Sequence, residues 1–140
     1  MIFVNLPVAD LPASIAFYEA VGAVRNDDFA DESAQMMTFS PTIHIMLLTH
    51  ARFTSFTPRA VPDAHVTAQV LLALSQESRA AVDAIVEKAI AAGTGEPNPM
   101  QDHGFMYGRS FEDPDGHIWE VTWMDVEAAM AAHAPESLES

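Results

Sequence analysis

The chain has 140 residues, 49% of them apolar, and carries 20 acidic against 6 basic side chains for a formal charge of −14. That length suits one domain with a proper core, while the charge excludes a nucleic-acid or anionic-membrane surface, which needs basic clusters. With no cysteine, disulfides, thiolate metal sites and cysteine nucleophiles are excluded as well.

Residues 2–8, IFVNLPV, read as a short apolar strand, with Pro7 at an edge or end because it cannot donate to a ladder. Asp10 is a good N-cap, Pro12 is tolerated in the first turn, Leu11, Ile15 and Tyr18 form a helical stripe, and Gly22 stops it. Residues 27–33, DDFADES, are expected to form a polar turn. Gln35–Phe39 and Ile43–Thr49 read as a hairpin around Ser40-Pro41-Thr42. Residues 50–66 contain Pro58 and Pro62 and have no clean period, so they read as a connection with one helical turn at most. Phe53 and Phe56 within it are candidates for a pocket lid or a dimer contact.

The pattern then recurs. Thr67–Ser75 is expected as an apolar strand, Ser78 caps a helix with the stripe Val82, Ile85, Val86, Ala89 and Ile90, and Gly93 stops it. A loop rich in Gly and Pro (94–99) leads into two strands within Gly104–Trp123, joined by the turn Asp113-Pro114-Asp115-Gly116. Residues 125–133 read as a short helix, and the remainder as a frayed tail. Strand, helix, glycine and strands, twice over, is an internal repeat. It predicts a single α+β domain of modules at residues 1–56 and 65–126, with 127–140 as a C-terminal helix and tail. The start, MIFVNLPV, lacks a basic run and no apolar stretch approaches a membrane span, so a cytoplasmic protein is expected.

Period-2 parity puts Ile118, Glu120 and Thr122 on one face of the last strand and Trp119, Val121 and Trp123 on the other. A carboxylate between Ile118 and Thr122 is costly to bury without a partner. Glu120 therefore sits at an edge, in a pair or in a functional cavity.

VNLPVADLPASIAFYEAVGA, SQESRAAVDAIVEKAIAAG and GRSFEDPDGHIWEVTW resemble the vicinal oxygen chelate superfamily, which includes glyoxalase I, extradiol dioxygenases and bleomycin- or fosfomycin-resistance proteins. The likeness is greatest to small bacterial proteins described as predicted lactoylglutathione lyases. D-L-x-x-S-x-x-F-Y together with DPDGHIWEV carries most of it. The resemblance implies paired βαβββ modules whose mixed sheets curl into a cup, and a homodimer.

It also implies a test for metal. Metal-dependent members use four side chains to hold a divalent ion, a Lewis acid for two adjacent substrate oxygens. Glu120 matches the ligand after the DPDG turn, but Phe3, Met46 and Leu71 fall at the other matching places, and none is a donor for a hard or borderline ion. A displaced set of Asn5, His44, Gln69 and Glu120, two positions away on the same faces, is the alternative and would hold a divalent metal weakly. The expected pocket is lined by Phe3, Asn5, His44, Met46, Leu71, Tyr107 and Arg109, without a cofactor.

Other residues are open to two readings. His44 is a satisfied histidine or a ligand, His103 a loop residue or a rim acid/base, and His117 a flank of the turn. Arg109 either clamps an anionic group or pairs with Glu120, or points outward. The methionines suggest an adaptable apolar lining. Three hypotheses stay open: an isomerase or lyase with Glu120 as base or ligand, a metal-free cup for a small apolar or cationic molecule, and a structural dimer.

Overall fold

In the computed structural model, which describes residues 1–132, strand β1 (Ile2–Val8) runs into helix α1 (Leu11–Ala20) and then strands β2 (Val24–Asp31), β3 (Ala34–Ser40) and β4 (Ile43–Thr49). β2, β3 and β4 pair antiparallel, and β1 joins β4 in parallel, so the sheet order is β1-β4-β3-β2. Helix α2 (His50–Thr54) begins the connection. The second half repeats the plan with β5 (Leu72–Gln76), α3 (Arg79–Ala91), β6 (Gln101–Asp102), β7 (Met106–Glu112) and β8 (Ile118–Met124) in the order β5-β8-β7-β6. Helix α4 (Val126–Ala132) follows. The fold is α+β, built of two βαβββ modules.

Local chemistry sets the helix bounds. The Asp10 carboxylate accepts from the Ala13 N–H at 3.1 Å and the Ser78 hydroxyl from the Ala81 N–H at 3.0 Å, each satisfying an otherwise orphaned donor. Gly22 (φ +108°) and Gly93 (φ +103°) end the two helices in the left-handed region.

Alternate strand residues then face the helices. Leu6, Val8, Met37, Ile45 and Leu47 pack with Phe17 and Tyr18 of α1, and Leu74, Phe111, Trp119 and Val121 with Val82, Val86 and Ala89 of α3, in one continuous core. Trp119 crosses the module boundary, with its ring 5.6 Å from Phe39 and 6.2 Å from Tyr18.

A buried polar chain fastens the same boundary. The Trp119 indole N–H donates to the Tyr18 oxygen at 3.0 Å, and the Tyr18 hydroxyl donates to Asp113 at 2.7 Å. Asp113 also accepts from the Asp115 and His117 N–H groups, while Asp115 accepts from the Ala9 N–H at 2.8 Å. The Ser14 hydroxyl lies 3.4 Å from the other Asp115 oxygen. Burial raises the pKa of the Asp113 carboxyl and, with the Asp113 charge beside it, raises that of the Tyr18 phenol well above its ordinary value. The two sequence pieces that carry the resemblance are thus the two sides of one clasp.

Two expectations change. Residues 27–31 are not a turn, because β2 continues to Asp31 as an edge strand with a register shift between Asn26 and Ala30. The strand expected over Thr67–Ser75 occupies Leu72–Gln76 instead, and residues 67–71 belong to the connection. The expected tail, 134–140, lies outside the described residues. Among the described residues, no helix is long and apolar enough to cross a membrane.

Candidate functional site

The faces turned away from the helices carry most of the residues singled out above. On the first sheet, Phe3 pairs with His44 and Asn5 with Met46. The Phe3 ring stacks on His44 at 5.0 Å between centroids. The His44 Nε2 lies 3.3 Å from the Pro41 carbonyl and Nδ1 2.9 Å from the Thr38 hydroxyl. Because a carbonyl can only accept, Nε2 holds the proton and Nδ1 accepts from Thr38. Both ring nitrogens are engaged, so His44 is a satisfied wall residue.

On the second sheet, Glu120 lies between Ala73 of β5 and Ser110 of β7. It borders a recess of about 240 Å³ with Asn98, Met106, Gly108 and Thr122. The Ser110 hydroxyl accepts from the Asn98 N–H at 3.0 Å and so holds the loop over the recess. A Cβ at Gly108 would meet the Thr122 methyl at 3.5 Å, an ordinary van der Waals contact. Glu120 is half-buried, and no cation is paired with it among the described residues.

The polar ends of Tyr107 and Arg109, both expected in the pocket, reach toward α3. Antiparallel register sets Arg109 opposite Val121 and Tyr107 opposite Trp123, on the helix side of β7, with Ser110 opposite Glu120. Arg109 borders the recess, and its guanidinium donates to Glu96 at 2.8 and 3.0 Å and to Asp83 at 3.0 Å, and pairs with Glu87 at 2.9 Å. The Tyr107 hydroxyl donates to Asp83 at 2.6 Å. That bond first, and Arg109 next, lowers the Asp83 pKa; the bond from Arg109 lowers that of Glu96. Arg109 thus ties α3 and the 94–99 loop to β7, and its carboxylate partners do not include Glu120.

The larger cavity was not anticipated. About 610 Å³ lies between Asn5 and Pro7 of β1, Phe53 of α2, the connection from Arg59 to Val70, and Gly116–Ile118 at the start of β8. Its connection wall rests on the DPDG turn. A Cβ at Gly116 (φ +89°) would come within 2.7 Å of the His65 nitrogen and 2.8 Å of the Ala64 carbonyl carbon, so only glycine lets the two segments touch. His117 closes one side by donating from Nε2 to the Pro7 carbonyl at 3.0 Å, more than the flanking role expected of it. Ile118 of this pocket and Glu120 of the smaller recess are successive residues on one face of β8. The available signal was the largely apolar stretch Thr67–Leu71 beyond Pro58 and Pro62, which read as part of a strand.

The remaining candidates scatter. Gln69 borders the larger pocket, whereas Leu71 is 55% exposed and outside β5. His103 is exposed beside the Phe105 ring. The displaced metal set is not gathered within the chain: Asn5 and Gln69 border one cavity, Glu120 another, and both His44 nitrogens are engaged. Among the described residues, no group of three or more His, Cys, Asp or Glu side chains could hold an ion.

Residues 2–121 match the sequence model of the Glyoxalase/Bleomycin resistance protein/Dioxygenase superfamily. No curated protein matches significantly. Among solved structures, a hypothetical protein from S. aureus shares 24% identity, with 88% of this chain and 92% of that chain covered and a TM-score of 0.76. The fosfomycin resistance protein FosX from Mesorhizobium loti shares 14% over 93% and 96%, with a TM-score of 0.68. A lactoylglutathione lyase from Agrobacterium tumefaciens shares 18% over 88% and 92%, with a TM-score of 0.64. At these identities the likeness is one of fold.

Proposed function

The chain belongs to the Glyoxalase/Bleomycin resistance protein/Dioxygenase superfamily, and from that premise we propose that it is a metal-free binding protein whose larger pocket takes up a small apolar molecule. The observation that carries this reading is the pocket of about 610 Å³, walled mainly by Pro7, Phe53, Val61, Pro62, Val70 and Ile118. Its size and make-up are those usual for small-molecule sites. The net charge alone would also suit a cationic ligand by long-range steering. Among the described residues, however, the pocket lining contains no carboxylate. The protein acts as a homodimer in this proposal, supported by the exposure of Ile2, Phe3, Val66, Val70 and Leu71.

Titration with the neutral dye N-phenylnaphthylamine tests the reading. One saturable site per chain is expected, lost in Ala68→Trp, which fills the pocket from its connection wall. Absence of saturable binding, or binding unchanged in Ala68→Trp, overturns it. Stoichiometric zinc or nickel remaining after dialysis would overturn the metal-free part.

A second reading has its own observation, the half-buried Glu120 carboxylate without a cation in the smaller recess. There it would serve as the general base of an isomerase or lyase acting on a polarised C–H. Turnover of a glutathione hemithioacetal, abolished by Glu120→Gln with dye binding retained, would select this reading over the first.

A further inference from the structure

The larger pocket carries one formal charge, and its sign is opposite to that of the molecule. The chain holds 20 acidic side chains and only 6 basic ones. Among the described residues, Arg25, Arg79 and Arg109 are ion-paired with carboxylates. Arg59 is not, nor are Arg52 and Lys88, but of these three only Arg59 lines the pocket. It stands on the pocket wall, with the amides of Asn5 and Gln69 as neutral polar groups and no Asp or Glu in the lining.

Resting on the reading that this pocket holds a small molecule, we infer that its ligand is an apolar monocarboxylate. An aromatic or aliphatic body fills the space by Phe53, Val70 and Ile118, and the carboxylate meets the Arg59 guanidinium. The planar fork of that group matches two carboxylate oxygens. A phosphate monoester is disfavoured, because its second negative charge would need a further cation; besides Arg59 the lining holds no other Lys or Arg, only the Asn5 and Gln69 amides, the Thr67 hydroxyl and His117, which already donates to the Pro7 carbonyl.

The net charge of −14 opposes any anion, yet it acts at a distance. Charges beyond about 8 Å are largely screened at physiological salt, whereas Arg59 touches the head group. The local guanidinium therefore decides the preference. Since Arg59 is itself exposed, the ion pair is partly hydrated, and a preference of about five- to tenfold is expected.

Three probes with one body and different heads test this: naphthaleneacetate, naphthaleneacetamide and naphthylethylamine, titrated by calorimetry into the full chain. The acid should bind about five- to tenfold more tightly than the amide, and the amine most weakly. In Arg59→Gln the acid should fall to the level of the amide, and Arg59→Lys should restore part of the difference. Equal binding of acid and amide to the wild type would overturn the inference and leave the pocket reading standing. So would an acid preference that survives Arg59→Gln, or tightest binding of the amine. If none of the three bound the wild type, the pocket reading itself would fall, and this inference with it.

Discussion

Tyr18 is fully buried, and its oxygen both donates to Asp113 and accepts from the Trp119 indole. Tyr18→Phe removes no volume from the core except the oxygen, but it strands a buried indole N–H and one oxygen of a buried carboxylate. Leaving such groups unpaired costs about 1–3 kcal/mol apiece, so a loss of about 2–4 kcal/mol is expected from urea denaturation. A loss below about 0.5 kcal/mol, the level of an inert surface change, would mean that water replaces the hydroxyl and that the clasp contributes little. Glu120 differs in kind. It has no cation to lose, and its place on β8 was readable from parity alone. Which side of the sheet faces the helices was not readable, because parity groups residues by face and says nothing of what covers each face. For that reason Arg109 and Glu120 were weighed as neighbours, although they lie on opposite sides.

At the scale of elements, helix α3 is held to β7 and the 94–99 loop through Arg109, whose side chain is only 12% exposed, and near β6 through the Arg79–Asp102 pair at 2.6 Å. Arg79 lowers the Asp102 carboxyl to about 2, and Asp83 and Glu96 are lowered too. Groups depressed in the folded state stabilise it above their unfolded values, near pH ~4, and lose that contribution as pH falls through their folded values. Asp113 has the opposite sign. Its raised value gives a contribution present at low pH and lost as pH rises through the folded pKa. Arg109→Met leaves three carboxylates facing one another, so it should be less stable than wild type at neutral pH. The gap should narrow as pH falls from about 4.5 to about 2. Urea midpoints across that range measure it, and a gap independent of pH would assign the role of Arg109 to packing of its stem.

The elements most legible in the sequence were those with chemical punctuation. Asp10, Ser78, Gly22 and Gly93 bound both helices where expected. β2 was missed because most of it is exposed on both faces, which erases the alternation that marks a half-buried strand. The opposite error befell residues 67–71, where Ala68 and Val70 of a cavity wall and the exposed Leu71 imitate a buried strand.

For the whole molecule, the repeat foretold two modules but not how they are joined. The joint depends on Trp119, Tyr18 and Asp113 meeting across about a hundred residues of chain, a contact with no local signature. The proposed homodimer is a statement at this scale as well. Sedimentation equilibrium at micromolar concentration should give twice the 15.2 kDa of one chain. Exchanging Phe3 for Glu, on a residue 49% exposed in the single chain, should shift the mass toward the monomer. A wild-type mass equal to one chain would remove the dimer from the proposal.

The connection that leans on Gly116 has a meaning beyond its geometry. One wall of the larger cavity is a stretch of chain that takes part in no sheet ladder and contributes no residue to the core. Exchanges along Arg59–Val70 can therefore alter what the cavity accepts while the sheets, helices and clasp that keep the molecule folded stay as they are. In the proposed binding role, this one wall could change its chemistry without touching the core, whereas the opposite wall, with Leu6 and the Gly116 turn, serves folding and cavity alike.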